Sequence, residues 1–249
     1  MRLLLLNPNM SQEMTARMEA VARAAAWPGV EISALTATRG FPYISSRAEA
    51  QIAGGVVLEM IADHVGQTDA VIIAAFGDPG LHAARELFDL PVVGLAEASL
   101  LTASMVGERF GVVTFTARMR AWYADAVRDA GLSGRFAGVR CPQSEPGGPV
   151  HAVADEHAEL IRELCVQAAQ EDGADAVILG GAPLTGLARR LDPASPVTLI
   201  DPVVAAVGLA EALARAAPQG ARSGRFARPP AKSSAGLHPP LADWIARRG

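Results

Sequence analysis

Apolar runs that stop abruptly at a small or polar residue recur along this chain, each followed by a polar cap and a helix-spaced stretch. The run LLLL reaches Asn7, IIAAFGDPG surrounds Ala75, and PVVGLAEAS carries Glu97. A second series keeps the same order: FGVVTFT reaches Thr114, VILGGAPLTG surrounds Gly181, and PVTLIDPVV carries Asp201. The three landmarks are separated by 68 and 22 residues in the first series and by 67 and 20 in the second. Short continuous apolar runs bounded by turn residues read as strands buried on both faces, and strand, cap and helix in succession is the βαβ pattern. The chain therefore predicts an α/β fold of two pseudo-symmetric lobes, each a parallel sheet flanked by helices, with the active site between the lobes.

The finer elements follow from spacing and caps. Ser11, or Asn9 before it, can cap a helix that carries Met14, Met18, Val21 and Ala25, while Thr116 precedes Met119, Trp122, Tyr123, Ala126 and Val127 in the second copy. VEISALT and DAVIIAAF are predicted strands on either side of a long helix from Arg47 to His64. In the second copy come the weaker strand FAGVRC, the loop PQSEPGGP, and one helix over 151–172 with Leu160, Ile161, Leu164, Cys165 and Ala168 on a face, closed by Gly173. An alanine-rich helix over 202–217 is expected to return to the first lobe, so the lobes are 1–98 plus 202–217 and 99–201. Residues 218–249 form an Arg/Pro-rich tail with Arg222, Arg225, Arg228 and Lys232, ending in LADWIARRG. That last stretch is a short amphipathic helix that needs a surface, on its own lobe or on a neighbouring subunit.

Composition narrows the partners. At 249 residues and 50% hydrophobic the chain can bury substantial cores, and a net charge of −4 offers no basic character for nucleic acid or an anionic membrane. Its apolar stretches fall short of the roughly 18 residues a membrane span needs. Met1-Arg2 and four leucines are too short for a signal peptide, and with only Cys141 and Cys165 a reducing cytoplasm is the simplest location. Loops beyond the ends of parallel strands collect ligands, and two facing sheets would close both sets around one cleft suited to a small anionic organic molecule.

With NPN at 7–9, FGDPGL at 76–81, PVVGLAEA at 91–98 and VVTFTARM at 112–119, the chain resembles the aspartate/glutamate racemase superfamily, and most closely its hydantoin racemase branch, over roughly residues 1–215. The resemblance implies a substrate held between lobes, no metal or organic cofactor, and a homo-oligomer. It also implies racemisation by two cysteines, one per lobe, on opposite faces of the substrate carbon. Those positions align with Ala75 and Gly181, and neither methyl nor hydrogen can carry a proton as a thiol does. Cys165, on an apolar helix face, reads as a core residue. Cys141 ends a strand beside a loop and is a weak candidate for the cleft.

Other groups then have to carry any chemistry. Glu97, after the buried run PVVGLA, is a candidate acid or base, and Asp78 with His82 is a candidate carboxylate–imidazole pair. Asp78 also suits a loop-organising role, Glu97 a helix N-terminus, and His82 the surface. Asn7, Asn9, Thr114 and Thr116 stand at matching strand ends, where they can clamp a carboxylate, amide or ureide. Tyr43, Ser45, Ser46 and Arg47 lie in a loop that the resemblance places over the substrate, with Arg47 a candidate partner for a carboxylate. Ala75, Phe76 and Gly77 are expected in the cleft, facing Gly181, Ala182 and Pro183, whose loop can expose N–H groups to an oxyanion. His64, His151 and His157 are too scattered for a metal. Two functions stay open: an enzyme acting on a five-membered cyclic ureide such as a hydantoin or thiohydantoin, by isomerisation, hydrolysis or desulfuration, and a catalytically silent ligand-binding or sensor protein on a racemase scaffold.

Overall fold

The computed structural model describes residues 1–144, 147–221 and 223–247; Arg222 of the tail cluster lies outside them. The first half runs β1 (Arg2–Asn7), α1 (Gln12–Ala25), β2 (Glu31–Thr36), α2 (Arg47–His64), β3 (Ala70–Ile73), α3 (Leu81–Leu87), β4 (Val92–Gly94) and α4 (Leu95–Val106). The second runs β5 (Phe110–Val113), α5 (Arg120–Asp129), β6 (Phe136–Arg140), α6 (Val153–Glu156), α7 (Ala158–Gln170), β7 (Ala176–Leu179), α8 (Leu187–Leu191), β8 (Thr198–Ile200) and α9 (Pro202–Ala216), before α10 (Pro239–Ala246). Two four-stranded parallel sheets result, ordered β2-β1-β3-β4 and β6-β5-β7-β8. The identical strand order is the structural form of the repeat seen in the sequence.

Strand alternation sorts the core into layers. Leu3, Leu5 and Ile72 point to a central layer shared by both halves, which also takes Val112, Ile178, Tyr123 and Val203. Leu4, Leu6, Val71 and Ile73 face the opposite way, onto Val57 and Ile61 of α2 and Leu81 of α3. In the second sheet, Val113, Val177 and Leu179 face Ile161, Leu164 and Cys165 of α7. Because the inner strands β1, β3, β5 and β7 are apolar on both faces, helices must cover both, and burying each such side chain is worth about 1.5–3 kcal/mol.

The last helix of each half leaves its own sheet. α4 begins at the end of β4 yet packs on β7 and β8, whereas α9 begins after β8 and returns to β3 and β4, and the two helices pack against each other. α9 also lies on α1, where its buried Glu211 accepts the Trp27 backbone N–H at 3.0 Å. Among the described residues no helix is long and apolar enough to cross a membrane.

One expectation needs amendment, and one left open is resolved. The helix over 151–172 is broken: a 3-10 turn (Val150–Ala152) leads into α6, and His157, at φ −123° and ψ 25°, separates α6 from α7. His157 turns its Nε2 to the Gly147 carbonyl at 3.0 Å, so a side chain counted as helical anchors the preceding loop. The tail, open between two supports, lies on its own first lobe. Trp244 Nε1 donates to the Leu87 carbonyl at 2.8 Å, its ring meets Phe88, and Arg228 stacks on it at 4.7 Å while pairing with Asp89.

Candidate functional site

Between the lobes, the loops after β3 and β7 face one small chamber. Ala75, Phe76, Gly77 and Pro79 line it from the first lobe with Asn9, Tyr43 and Ile44, and Gly181, Ala182, Met119, Trp122 and Tyr123 line it from the second. Its enclosed volume is about 20 Å³, room for roughly one water. The lining contains no carboxylate, thiol, imidazole or amine.

Glycine and aromatic residues shape the walls together. A β-carbon on Gly77 would stand 2.5 Å from the Trp122 ring, and one on Gly180 would stand 2.7 Å from Val112 and 3.2 Å from Tyr123. Large rings of α5 therefore fit where the strand-end loops carry no side chain. Gly181 has φ +121°, a region L residues rarely adopt, and a β-carbon there would lie 3.5 Å from the Tyr123 hydroxyl. Tyr123 is almost wholly buried and meets Phe76 edge-on at 4.7 Å, so burial pushes its phenol well above the ordinary value. Trp122, Tyr123, Met119, Ile44 and Pro79 were not singled out for the site from sequence. The available signal was two bulky aromatics on α5 opposite the glycine pair 180–181.

The polar strand ends divide in role. Asn7 is buried and turned into its own loop: Nδ2 donates to Asn9 Oδ1 at 3.0 Å, Thr15 Oγ1 at 2.9 Å and the Ser11 carbonyl at 3.1 Å. Asn9 also accepts the Ser11 N–H, but of this quartet it is the member that reaches the chamber. Thr116 accepts the Arg118 N–H and starts a 3-10 turn (Ala117–Met119) rather than facing the chamber. Thr114 Oγ1 is fully buried and meets no hydrogen-bond partner in good geometry among the described residues; the Tyr123 phenol is a neighbouring polar group.

The 43–47 loop also splits. Tyr43 and Ile44 form chamber wall, whereas Ser45 and Arg47 face away. Ser45 donates its backbone N–H to Glu49 at 2.6 Å and its carbonyl accepts Arg118 Nε at 3.0 Å. Ser46 caps α2, and the exposed Arg47 pairs with Asp125 of α5. Arg47 is thus a latch between the lobes rather than a carboxylate receptor in the chamber. Pro183 is buried behind the Gly181–Ala182 wall, and the Gly180 N–H is spent on the Val113 carbonyl at 2.8 Å, which leaves it unable to serve an oxyanion.

Glu97, Asp78 and His82 lie together, but in an external groove of about 540 Å³ bounded by α2, α4 and α5. Glu97 is held by both terminal nitrogens of Arg85, with Nη1 to Oε1 at 2.9 Å. Asp78, at φ +49°, packs its carboxyl on Gly94 and accepts the Ala96 N–H at 2.9 Å and the Glu97 N–H at 2.8 Å. Enclosure raises this carboxyl to about 7, against the two N–H groups that favour its charged form. His82 turns its ring to Phe226 of the tail at 5.8 Å, so the expected Asp78–His82 pair is replaced by two separate attachments. The thiols are elsewhere too. Cys165 is in the α7 core, its thiol pushed up to about 12 by burial, and Cys141 receives Arg120 Nη2 at 3.1 Å outside the chamber lining.

The two-lobed parallel fold with facing strand-end loops has relatives among known proteins. Residues 3–210 match the model of the Asp/Glu/Hydantoin racemase family. The chain belongs to this family. A hydantoin racemase of Paenarthrobacter aurescens is 36% identical over 236 residues, 93% of this chain and 99% of that protein. One from Pseudomonas sp. (strain NS671) is 37% identical over 216 residues, 86% of each. Among solved structures, the allantoin racemase from Klebsiella pneumoniae superposes with a TM-score of 0.89 at 37% identity, covering 96% of this chain and 98% of that one.

Proposed function

We propose that this member of the Asp/Glu/Hydantoin racemase family is a cofactor-independent isomerase that takes a small five-membered cyclic ureide, of the hydantoin or allantoin kind, between its lobes. The observation that carries the reading is the position of Ala75 and Gly181 on the two walls of one chamber, whose space of about 20 Å³ is smaller than such a ring, so that the loops around it part to admit the ligand. The relatives named for hydantoin and allantoin racemisation supply the substrate class. The reaction would not run through two thiols, because the residues aligned with that pair are Ala75 and Gly181. What the chamber offers instead is hydrogen bonding to a ring carbonyl, which stabilises the enolate formed when solvent water or hydroxide takes the proton of the adjacent C–H and later returns one to the opposite face; one such donor is worth roughly 10²–10³ in rate.

A second reading, a silent ligand-binding protein, is favoured by the absence of any basic side chain in the chamber lining. Hydrolysis or desulfuration draws no support from the geometry, since Glu97 and Asp78, the carboxylates suited to activating water, occupy the outer groove. Incubating the protein with single enantiomers of 5-substituted hydantoins and of allantoin in D2O tests all three. Enzyme-dependent deuterium incorporation with inversion supports the isomerase, binding without exchange establishes the silent protein, and a product of altered mass establishes hydrolysis or desulfuration.

A further inference from the structure

We propose that Tyr123 is the specificity-determining contact on the second-lobe wall, donating its phenol hydrogen to one ring carbonyl oxygen of the ligand while Thr114 Oγ1 donates to the phenol oxygen from behind. This rests on the cyclic-ureide reading above and adds to it the group that recognises the ring.

Three independent placements support it. The Tyr123 hydroxyl sits 3.5 Å from the point where a side chain at 181 would begin, so it stands where Gly181 leaves the wall open. Its ring cannot turn elsewhere: it is 1% exposed, edge-on to Phe76, and backed by the side-chain-free Gly180. Thr114 Oγ1 is a fully buried hydroxyl without a hydrogen-bond partner in good geometry among the described residues, and it neighbours that same phenol. A buried hydroxyl costs free energy until it is satisfied, and a phenol that accepts from Thr114 is left with its own hydrogen to donate. At neutral pH the phenol keeps that hydrogen, because burial disfavours the phenolate. A donor fixed in an apolar wall selects for an acceptor: a ring oxygen is accepted, whereas sulfur in its place is a weak acceptor and leaves the hydroxyl unpaired.

The test is competitive binding of hydantoin, 2-thiohydantoin and 4-thiohydantoin by calorimetry to the full chain and to Tyr123→Phe and Thr114→Val, with thermal melts as the folding control. The intact protein is expected to bind hydantoin at least about tenfold more tightly than one of the two thio analogues. Tyr123→Phe should weaken hydantoin by a similar factor and abolish that preference, and Thr114→Val should reduce it. Equal binding of hydantoin and both analogues by the intact protein, or an unchanged preference in Tyr123→Phe, overturns the assignment while leaving the ureide reading standing. If Tyr123→Phe does not fold, Thr114→Val with an unchanged preference overturns it in the same way. Failure of the intact protein to bind any of the three removes both readings together.

Discussion

Asp78 and Asp201 fasten the two chamber loops in mirror fashion. Asp78 stands in the loop after β3 and accepts two N–H groups from the first turn of α4, at 2.9 and 2.8 Å. Asp201 stands instead at the start of α9, where it accepts the Val203 N–H at 2.9 Å and reaches back to Gly186, in the loop after β7, at 2.6 Å. Burial raises both carboxyls above their usual value. Each lobe thus ties the loop bearing position 75 or 181 to the helix that leaves for the other lobe.

At pH 4.5 Asp78→Asn should destabilise the fold by about 2–3 kcal/mol, because the hydroxyl oxygen of the protonated carboxyl can still accept an N–H whereas the amide NH2 cannot. The sign of the pH effect follows from the raised carboxyl. From about pH 4 to 7 the unfolded chain has lost this proton while the folded chain retains it, so stability contributed by Asp78 falls with rising pH and levels off above about 7. Melting temperatures of both proteins from pH 4.5 to 8.5 should converge as pH rises to 7, by on the order of 1 kcal/mol per unit. A pH-independent gap would refute the assignment.

Glu97→Gln should leave ligand binding and any α-hydrogen exchange within about twofold, since this carboxylate is engaged by Arg85 in the outer groove. The cost should appear in the melt, at about 1–2 kcal/mol for a partly buried charged partner left alone. Loss of exchange with an unchanged melt would return Glu97 to the chemistry.

Placing sulfur on both walls should raise the rate of α-hydrogen exchange. Ala75→Cys is expected to be nearly neutral in stability, whereas Gly181→Cys should lose about 1–3 kcal/mol because its backbone is at φ +121°. The double variant should exchange the α-hydrogen of a 5-substituted hydantoin at least tenfold faster than the parent, read by NMR in D2O. If folded double variant and parent exchange at the same rate, positions 75 and 181 do not flank the reacting carbon.

Cys165 should resist iodoacetamide at pH 8 in the native protein and react fully in denaturant, since its thiol is pushed to about 12 inside the α7 core. Peptide mapping after timed alkylation measures this. Rapid native modification of Cys165 would contradict the packing described.

The duplication, the parallel strands and the helices from Arg47 to His64 and over 202–217 were legible because apolar run, cap and helical spacing agree at each of them, although the order of strands within each sheet was not. The meeting of Ala75 and Gly181 at one chamber was legible for the same reason, since both stand in loops at strand ends. The side chains around them were not. Glu97, Arg47 and Ser45 are polar residues next to the chamber whose partners, Arg85, Asp125 and Glu49, come from elsewhere on helices, and no spacing rule reveals which way such a residue turns. Trp122 and Tyr123 looked like ordinary core positions because they are core positions; only their meeting with Gly77, Gly180 and Gly181 gives them a second surface.

The exchange of α4 and α9 between sheets has a consequence for how the molecule can be divided. A fragment stopping at Val106 would end in a helix whose apolar face is shaped for strands it does not possess, and a fragment beginning at Phe110 would have the same defect in reverse. Neither half should fold well alone, and proteolysis between them is expected to yield two pieces that remain associated rather than two independent domains.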